Sequence, residues 1–130
     1  VLSKEPLDEV VTIANNRLCT NNETGMFVTV WIGVYEVSTG RLSFVNAGHN
    51  PPLLLNNGQW SYLDHKTYKR GIMLGIRENI KYHVNEIILN RESHLLLYTD
   101  GITEITNKEK IPFGKNALIM PWSLKKWGQT

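Results

Sequence analysis

The sequence has little of several residue types that mark whole classes of protein. Its 130 residues include one cysteine, Cys19, which excludes an internal disulfide framework and is compatible with a reducing cytoplasm. No apolar run is long enough to span a bilayer, and no signal peptide is recognisable. The formal net charge is only +2, and the basic residues are scattered along the chain. We therefore expect a cytoplasmic protein with no membrane span and no nucleic-acid partner.

Aspartate is also scarce, since the chain has only Asp8, Asp64 and Asp100. Asp8 falls at a predicted helix start and Asp64 in a polar loop, where local hydrogen bonds account for both. Asp100 differs because it follows the apolar run 94–98, which suits a buried strand, and precedes Gly101, which permits a sharp turn. An acid at a strand tip is suited to holding a hard cation or a proton-transfer partner. An ordinary Asp-Gly turn explains the same residues.

The rest of the pattern is typical of one globular α+β domain. Hydrophobic residues make up 42% of the chain and charged residues 20%. The pattern predicts a helix over 5–19 and then two strands, over 26–37 and 41–46. The first strand should be covered on both faces, with a bulge or close approach at Gly33. A hairpin over 53–63 that turns at Asn56-Asn57-Gly58, a strand over 81–89, the strand leading into Asp100 and a short helix from Ile102 towards Asn107 are predicted to follow. This order favours an antiparallel sheet layered with helices.

Four short segments, taken together, resemble one protein family. They are Phe27-Val28-Thr29, Val45-Asn46-Ala47-Gly48-His49-Asn50-Pro51-Pro52, Leu74-Gly75 and Leu97-Tyr98-Thr99-Asp100-Gly101-Ile102-Thr103-Glu104. In this order and spacing they resemble the SpoIIE-type, RsbU-like branch of the metal-dependent serine/threonine phosphatases, relatives of the type 2C phosphatases. The resemblance covers roughly residues 5–114. We therefore treat residues 1–130 as a single, partial phosphatase-like domain with a divergent tail at 115–130.

This resemblance implies a fold and an activity. The fold would be a four-layer α-β-β-α sandwich in a truncated version. Family members bind two divalent cations, manganese or magnesium, and a metal-bridging water attacks phosphoserine or phosphothreonine. Carboxylate oxygens suit such cations, and a metal pair lowers the pKa of the attacking water and neutralises charge on the phosphoryl group. The implied partner is a phosphorylated anti-sigma-factor antagonist in the bacterial cytoplasm.

The resemblance carries over to a few residues only. Asp100 matches the family aspartate that is a metal ligand, with Gly101 and Glu104 as its neighbours, although a solvated helix face accounts better for Glu104. His49 is of the residue type most often used as a catalytic base. We prefer to interpret segment 46–52 as a structural turn in which His49 hydrogen-bonds the backbone.

Two segments of the family pattern are missing from the sequence. The family has an Asp-x-Ser-Gly-His-Gly segment before the first helix and an aspartate pair near its C-terminal end, and neither occurs here. Because one carboxylate replaces little of a cation's hydration shell, the 130-residue chain should bind metal weakly or not at all and be inactive alone. Its start at Val1 rather than Met indicates a processed protein or, as we prefer, a piece of a longer chain.

Two further hypotheses remain open for the chain. In the first, the chain is a catalytically inactive phosphatase fold that serves as a binding or regulatory module. In the second, it is a truncated product that forms a homodimer through exposed sheet edges. The tail contains Leu118, Trp122, Trp127 and an interrupting Pro121. A partner or membrane helix is one interpretation of this tail. We prefer a segment that covers a sheet edge.

Overall fold

The structure is a computed structural model, and it describes residues 5–119. These residues form helix α1 (Leu7–Cys19), strands β1 (Val30–Glu36), β2 (Arg41–Ala47), β3 (Leu53–Asn56), β4 (Gln59–Tyr62), β5 (Arg70–Gly71), β6 (Asn85–Ile88) and β7 (His94–Leu96), and helices α2 (Asp100–Thr103) and α3 (Gly114–Leu118). Among these residues no helix is long and apolar enough to cross a membrane. The predicted elements occur in the predicted order, and β5 and α3 are two elements that the sequence did not predict.

Strand β2 is the centre of the first sheet. It pairs along its whole length with β1 in antiparallel register, from Val30 opposite Ala47 to Glu36 opposite Arg41. On its other side it pairs first with β6, antiparallel, and then with the short β5, parallel. The predicted hairpin of the first two strands is confirmed.

The second sheet has the order β4-β3-β7 and is antiparallel throughout. Its hairpin turns at Asn57 and Gly58, whose φ angles of 50° and 76° are the left-handed values that a tight hairpin turn requires. Leu53 pairs with Leu96 across β3 and β7. Because the strands are antiparallel, the residues before Leu53 and those after Leu96 run side by side.

Successive side chains along a strand point to opposite faces of the sheet, and this alternation produces the layers. In β2, Val45 packs with Val11 of α1, whereas Phe44 faces the second sheet and packs with Leu54. In β3, Leu53, the residue before Leu54, points to the opposite side and packs with Leu118 of α3. The layers are thus α1, the first sheet, the second sheet and the two short helices, which confirms the predicted α-β-β-α order.

Strand β1 departs from the prediction in its burial. We expected a strand covered on both faces, but Val34 is 57% and Tyr35 48% exposed. The reason is its position: within residues 5–119, β1 pairs only with β2 and lies at the edge of the sheet. At Gly33 the ladder is continuous, so there is no bulge. A close approach is present, since an added Cβ would lie 2.8 Å from the Trp31 indole.

The segment around Asp100 also differs from the prediction. Strand β7 has only three residues, of which His94 and Leu96 are exposed, so the expected buried strand is wrong. The helix expected from Ile102 towards Asn107 is shorter and begins earlier, at Asp100. Asp100 is therefore the first residue of α2, four residues beyond the end of β7.

The predicted strand over 81–89 and the predicted tail over 115–130 also differ in extent from what the structure describes. The strand expected over 81–89 is limited to β6, Asn85–Ile88. Leu118, near the start of the expected tail, is buried at the end of α3. Residues 120–130, and with them Pro121, Trp122 and Trp127, lie outside the described residues, so the role predicted for the tail stays a prediction.

Candidate functional site

An open cleft of about 280 Å³ lies where the two sheets bring three segments together. Its wall is formed by Thr29 just before β1, by Gly48, His49 and Asn50 from the loop after β2, and by Thr99, Asp100 and Gly101 at the start of α2. The cleft therefore contains residues from three of the four sequence segments on which the family resemblance rests.

The register of the second sheet explains why Asp100 meets the loop after β2. Residues before β3 and after β7 run antiparallel to each other, and this arrangement brings Asn50 beside Asp100. The Asn50 Nδ2 group donates a hydrogen bond of 2.8 Å to Oδ1 of Asp100. The backbone carbonyl of Asp100 accepts the Glu104 N–H at 2.8 Å, which closes the single turn of α2. One carboxylate oxygen is thus held in place at an exposed position.

The loop after β2 is built as a tight turn. Asn46 is buried, and its Oδ1 accepts the backbone N–H of His49 at 2.8 Å. Gly48 has φ +72°, and a Cβ added there would lie 3.0 Å from the backbone nitrogen of Met73. The Arg70 Nη2 group donates to the Gly48 carbonyl at 2.6 Å. Only glycine fits this position without strain or displacement of Met73.

The His49 ring lies on the cleft wall. Its Nδ1 is 3.0 Å from the Thr29 hydroxyl. We expected His49 to hydrogen-bond the backbone within a structural turn. The turn is present, but its bond is made by the main-chain N–H of His49 to the Asn46 side chain, while the ring contacts a side chain. Thr29 was the missed partner, although Phe27-Val28-Thr29 was one of the segments that carried the resemblance.

Of the other candidate residues, one lies on the cleft wall and the rest lie elsewhere. Gly101 is part of its wall, whereas Glu104 is exposed at the end of α2 and is not among the lining residues. The Cys19 sulfur is half-buried near the end of α1, 3.8 Å from Asn15 Oδ1. Asp64 binds locally, since its Oδ1 accepts the backbone N–H of Lys66.

Tyr98 supports the segment that leads into Asp100. It is buried beside Tyr62, with the two ring centroids 6.4 Å apart in an edge-to-face arrangement. The Tyr62 hydroxyl in turn donates to the backbone carbonyl of Lys115 at the start of α3. Burial raises the pKa of Tyr98 to about 12, and the neighbouring Tyr62 and Asp100 act in the same direction. Tyr98 is therefore a neutral anchor rather than a group that titrates near pH 7.

The cleft does not by itself fit two divalent cations. Each such cation prefers about six oxygen ligands. Asp100 is the one carboxylate on the cleft wall. Within residues 5–119 there is no group of three or more His, Cys, Asp or Glu side chains that could hold a metal ion. A two-metal site needs carboxylates beyond those that the described residues bring together.

The layered fold is that of the SpoIIE-type, RsbU-like phosphatase domains. The family model described as Stage II sporulation protein E (SpoIIE) matches residues 1–126, and the chain belongs to this family. The family is metal-dependent in general.

Among curated proteins, the chain is similar to protein IcfG of Synechocystis sp., with 30% identity over 110 residues. It is also 26% identical over 90 residues to the phosphoserine phosphatase RsbU of Bacillus subtilis, and 30% identical over 71 residues to the phosphoserine phosphatase RsbP of the same organism. These alignments cover 84%, 68% and 55% of this chain, but only 17%, 26% and 17% of the relatives. The chain thus spans about a quarter or less of their lengths.

A solved structure confirms the fold. The crystal structure of the RsbU and RsbW domains of Rv1364c from Mycobacterium tuberculosis superimposes with a TM-score of 0.65 at 23% identity. The match covers 79% of this chain and 28% of that chain. At this level of identity the likeness establishes the α+β sandwich.

Proposed function

We propose that this chain supplies part of the active site of a longer protein serine/threonine phosphatase. The carrying observation is the Asn50–Asp100 hydrogen bond, which holds a carboxylate on the wall of the cleft. Membership of the SpoIIE family and likeness to two proteins named phosphoserine phosphatases support the reaction class. The substrate would be phosphoserine or phosphothreonine on a bacterial regulatory protein of the anti-sigma-factor antagonist type, in the cytoplasm.

In this proposal Asp100 is one metal ligand of a two-cation site for Mn²⁺ or Mg²⁺. Asn50 orients its carboxylate, Gly101 is the next residue on the cleft wall, and Glu104 stays a more distant neighbour. The remaining carboxylates would come from parts of the longer protein beyond residues 5–119. The described residues provide one carboxylate in the cleft, which is too few to hold two cations.

The second candidate function is a catalytically inactive binding or regulatory module. The same shortage of carboxylates in the cleft favours it. An exposed edge strand, β1, fits a related proposal, in which two copies of the chain pair as a homodimer through this edge. Light scattering that shows a monomer at micromolar concentration would count against this dimer.

The test is a phosphatase assay on the longer gene product, with Mn²⁺ and a phosphoserine peptide. The Asp100→Asn variant keeps the shape of the side chain but removes its charge. We expect it to lower kcat by more than about 100-fold, because losing even an outer-shell partner of a metal costs about 10- to 100-fold. The matched control is Asp8→Asn, in the first turn of α1 on the far side of the first sheet. Undiminished turnover in Asp100→Asn would refute the assignment, and a wild type without turnover would favour the module.

A further inference from the structure

A positively charged side chain, that of Arg70, lies beside the cleft on the face of the first sheet that meets the second sheet. Strand β5 contains only Arg70 and Gly71, and it pairs in parallel with the end of β2 so that Arg70 is opposite Asn46. Residues paired across neighbouring strands point to the same face. Asn46 lies two residues after Phe44, whose ring packs between the sheets. Arg70 therefore projects from the inter-sheet face, at the end where the cleft opens.

Its position is fixed from two sides. The Arg70 Nη2 group donates to the carbonyl of Gly48, which is part of the cleft wall. At the next residue, a Cβ added to Gly71 would lie 2.8 Å from the Tyr82 ring, so the backbone of β5 is packed tightly onto the core. The guanidinium is thus bonded to the residue that comes directly before His49 and Asn50 in the loop.

The charge of Arg70 has no acidic partner among the described residues. The ion pair found within residues 5–119 joins Arg41 to Glu36, at the opposite end of β2. A guanidinium carries five N–H donors in a planar fork, and the Gly48 carbonyl accepts from only one of its two terminal nitrogens. Planar forks of this kind suit phosphate oxygens particularly well.

We infer that Arg70 binds phosphate at the edge of the cleft, where it is bonded to the wall residue Gly48 without being part of the wall itself. One guanidinium nitrogen anchors the side chain on Gly48, and the other N–H groups remain to donate to a phosphate at this edge, as a phosphoserine bound in the cleft would present. Arg70 thereby contributes positive charge where the cleft wall otherwise presents a carboxylate. This inference rests on the proposed function for the identity of the substrate, but it concerns recognition of the phosphate group and not its hydrolysis.

The test measures phosphate binding without metal and without turnover. Inorganic phosphate and O-phosphoserine are titrated into the full 130-residue chain at low ionic strength in the presence of a chelator, and binding is followed by ³¹P NMR line width. The main variant is Arg70→Gln, which keeps a polar N–H donor but is shorter and has no charge. We expect it to weaken phosphate binding by about tenfold or more, since a hydrogen bond to a charged group contributes at least about 1.5 kcal/mol and 1.4 kcal/mol is tenfold.

Two further variants make the result specific to this cleft. Arg41→Gln removes the same charge at the other end of β2, about 20 Å from Ala47 by strand geometry, and should leave binding within about twofold. Asp100→Asn removes a like charge that faces the phosphate and should tighten metal-free binding. If Arg70→Gln is poorly folded by near-UV circular dichroism, Arg70→Lys replaces it, with partial loss expected because the charge remains and the fork is lost.

Three results would overturn the inference. They are equal effects of Arg70→Gln and Arg41→Gln, full phosphate binding by a folded Arg70→Gln variant, and no measurable phosphate binding by the wild type and Asp100→Asn alike. Because the assay needs no metal, these outcomes are independent of the turnover test for Asp100. Failure of this inference can thus be told apart from failure of the proposed phosphatase activity.

Discussion

The side-chain amide of Asn50 donates a 2.8 Å hydrogen bond to Oδ1 of Asp100, fifty residues further along the chain. This bond joins the loop after β2 to the first residue of α2 and so connects two of the segments that identify the family. It occupies one carboxylate oxygen and leaves the other available. Under the proposed function, these two residues are the part of the active site that this chain supplies.

Replacing Asn50 by alanine should lower catalytic activity much more than it lowers stability. Both partners of the hydrogen bond are accessible to water, so the free energy of unfolding should fall by less than about 1 kcal/mol in urea titrations. In the longer phosphatase, kcat should fall by about 10- to 100-fold, as for other residues that orient a metal ligand. An Asn50→Ala enzyme with the turnover of the wild type would show that the bond does not orient Asp100 for the reaction.

Gly48 and Gly58 offer a matched pair of substitutions. Both have positive φ, at 72° and 76°, but an added Cβ meets the Met73 backbone at Gly48 and nothing within 4 Å at Gly58. Gly58→Ala should therefore cost only the strain of the left-handed conformation, about 1–2 kcal/mol. Gly48→Ala adds a clash and should lower the free energy of unfolding by at least about 1 kcal/mol more. Equal losses in urea unfolding would mean that the approach of Met73 is not a constraint.

Tyr98 should give the protein a specific weakness at high pH. Burial raises its pKa to about 12 in the folded state, compared with about 10 in the unfolded chain. Between these values the unfolded state releases its proton first and binds fewer protons, so stability is fully present below about pH 10 and falls as the pH rises towards 12. The check is the free energy of unfolding measured from pH 9 to 11.5.

The control for this pH dependence is Tyr98→Phe. Burial also raises the pKa of Tyr62 and of Tyr82, so the wild-type slope contains contributions from all three tyrosines. Removing the Tyr98 hydroxyl should make the fall above pH 10 shallower without abolishing it. The same slope in the variant and the wild type would show that Tyr98 is not the group that titrates.

Local signals explain which parts of the fold could be predicted from the sequence. The hairpin at Asn57-Gly58 follows from residues that accept positive φ, and α1 follows from helical spacing of apolar residues. The exposure of Val34 could not be predicted, because it depends on β1 being an edge strand. An apolar strand has the same sequence at an edge and in the centre of a sheet.

The site was predictable in part for a similar reason. Asp100 could be singled out because it follows an apolar run and lies in a recognisable motif. Its hydrogen bond to Asn50 depends on the pairing of β3 with β7, which no local pattern specifies. Arg70 belongs to a polar segment without a motif, and only the pairing of β5 with β2 places it beside Gly48.

The most direct measurement for the central claim is Mn²⁺ binding by electron paramagnetic resonance. That claim is that Asp100 is one ligand of a two-metal site which residues 5–119 form only in part. The 130-residue chain alone should bind Mn²⁺ with a Kd on the order of millimolar or weaker. The longer gene product should bind two ions more tightly, and Asp100→Asn should weaken that binding. Tight binding of two ions by the 130-residue chain, or unchanged binding in Asp100→Asn, would contradict the account.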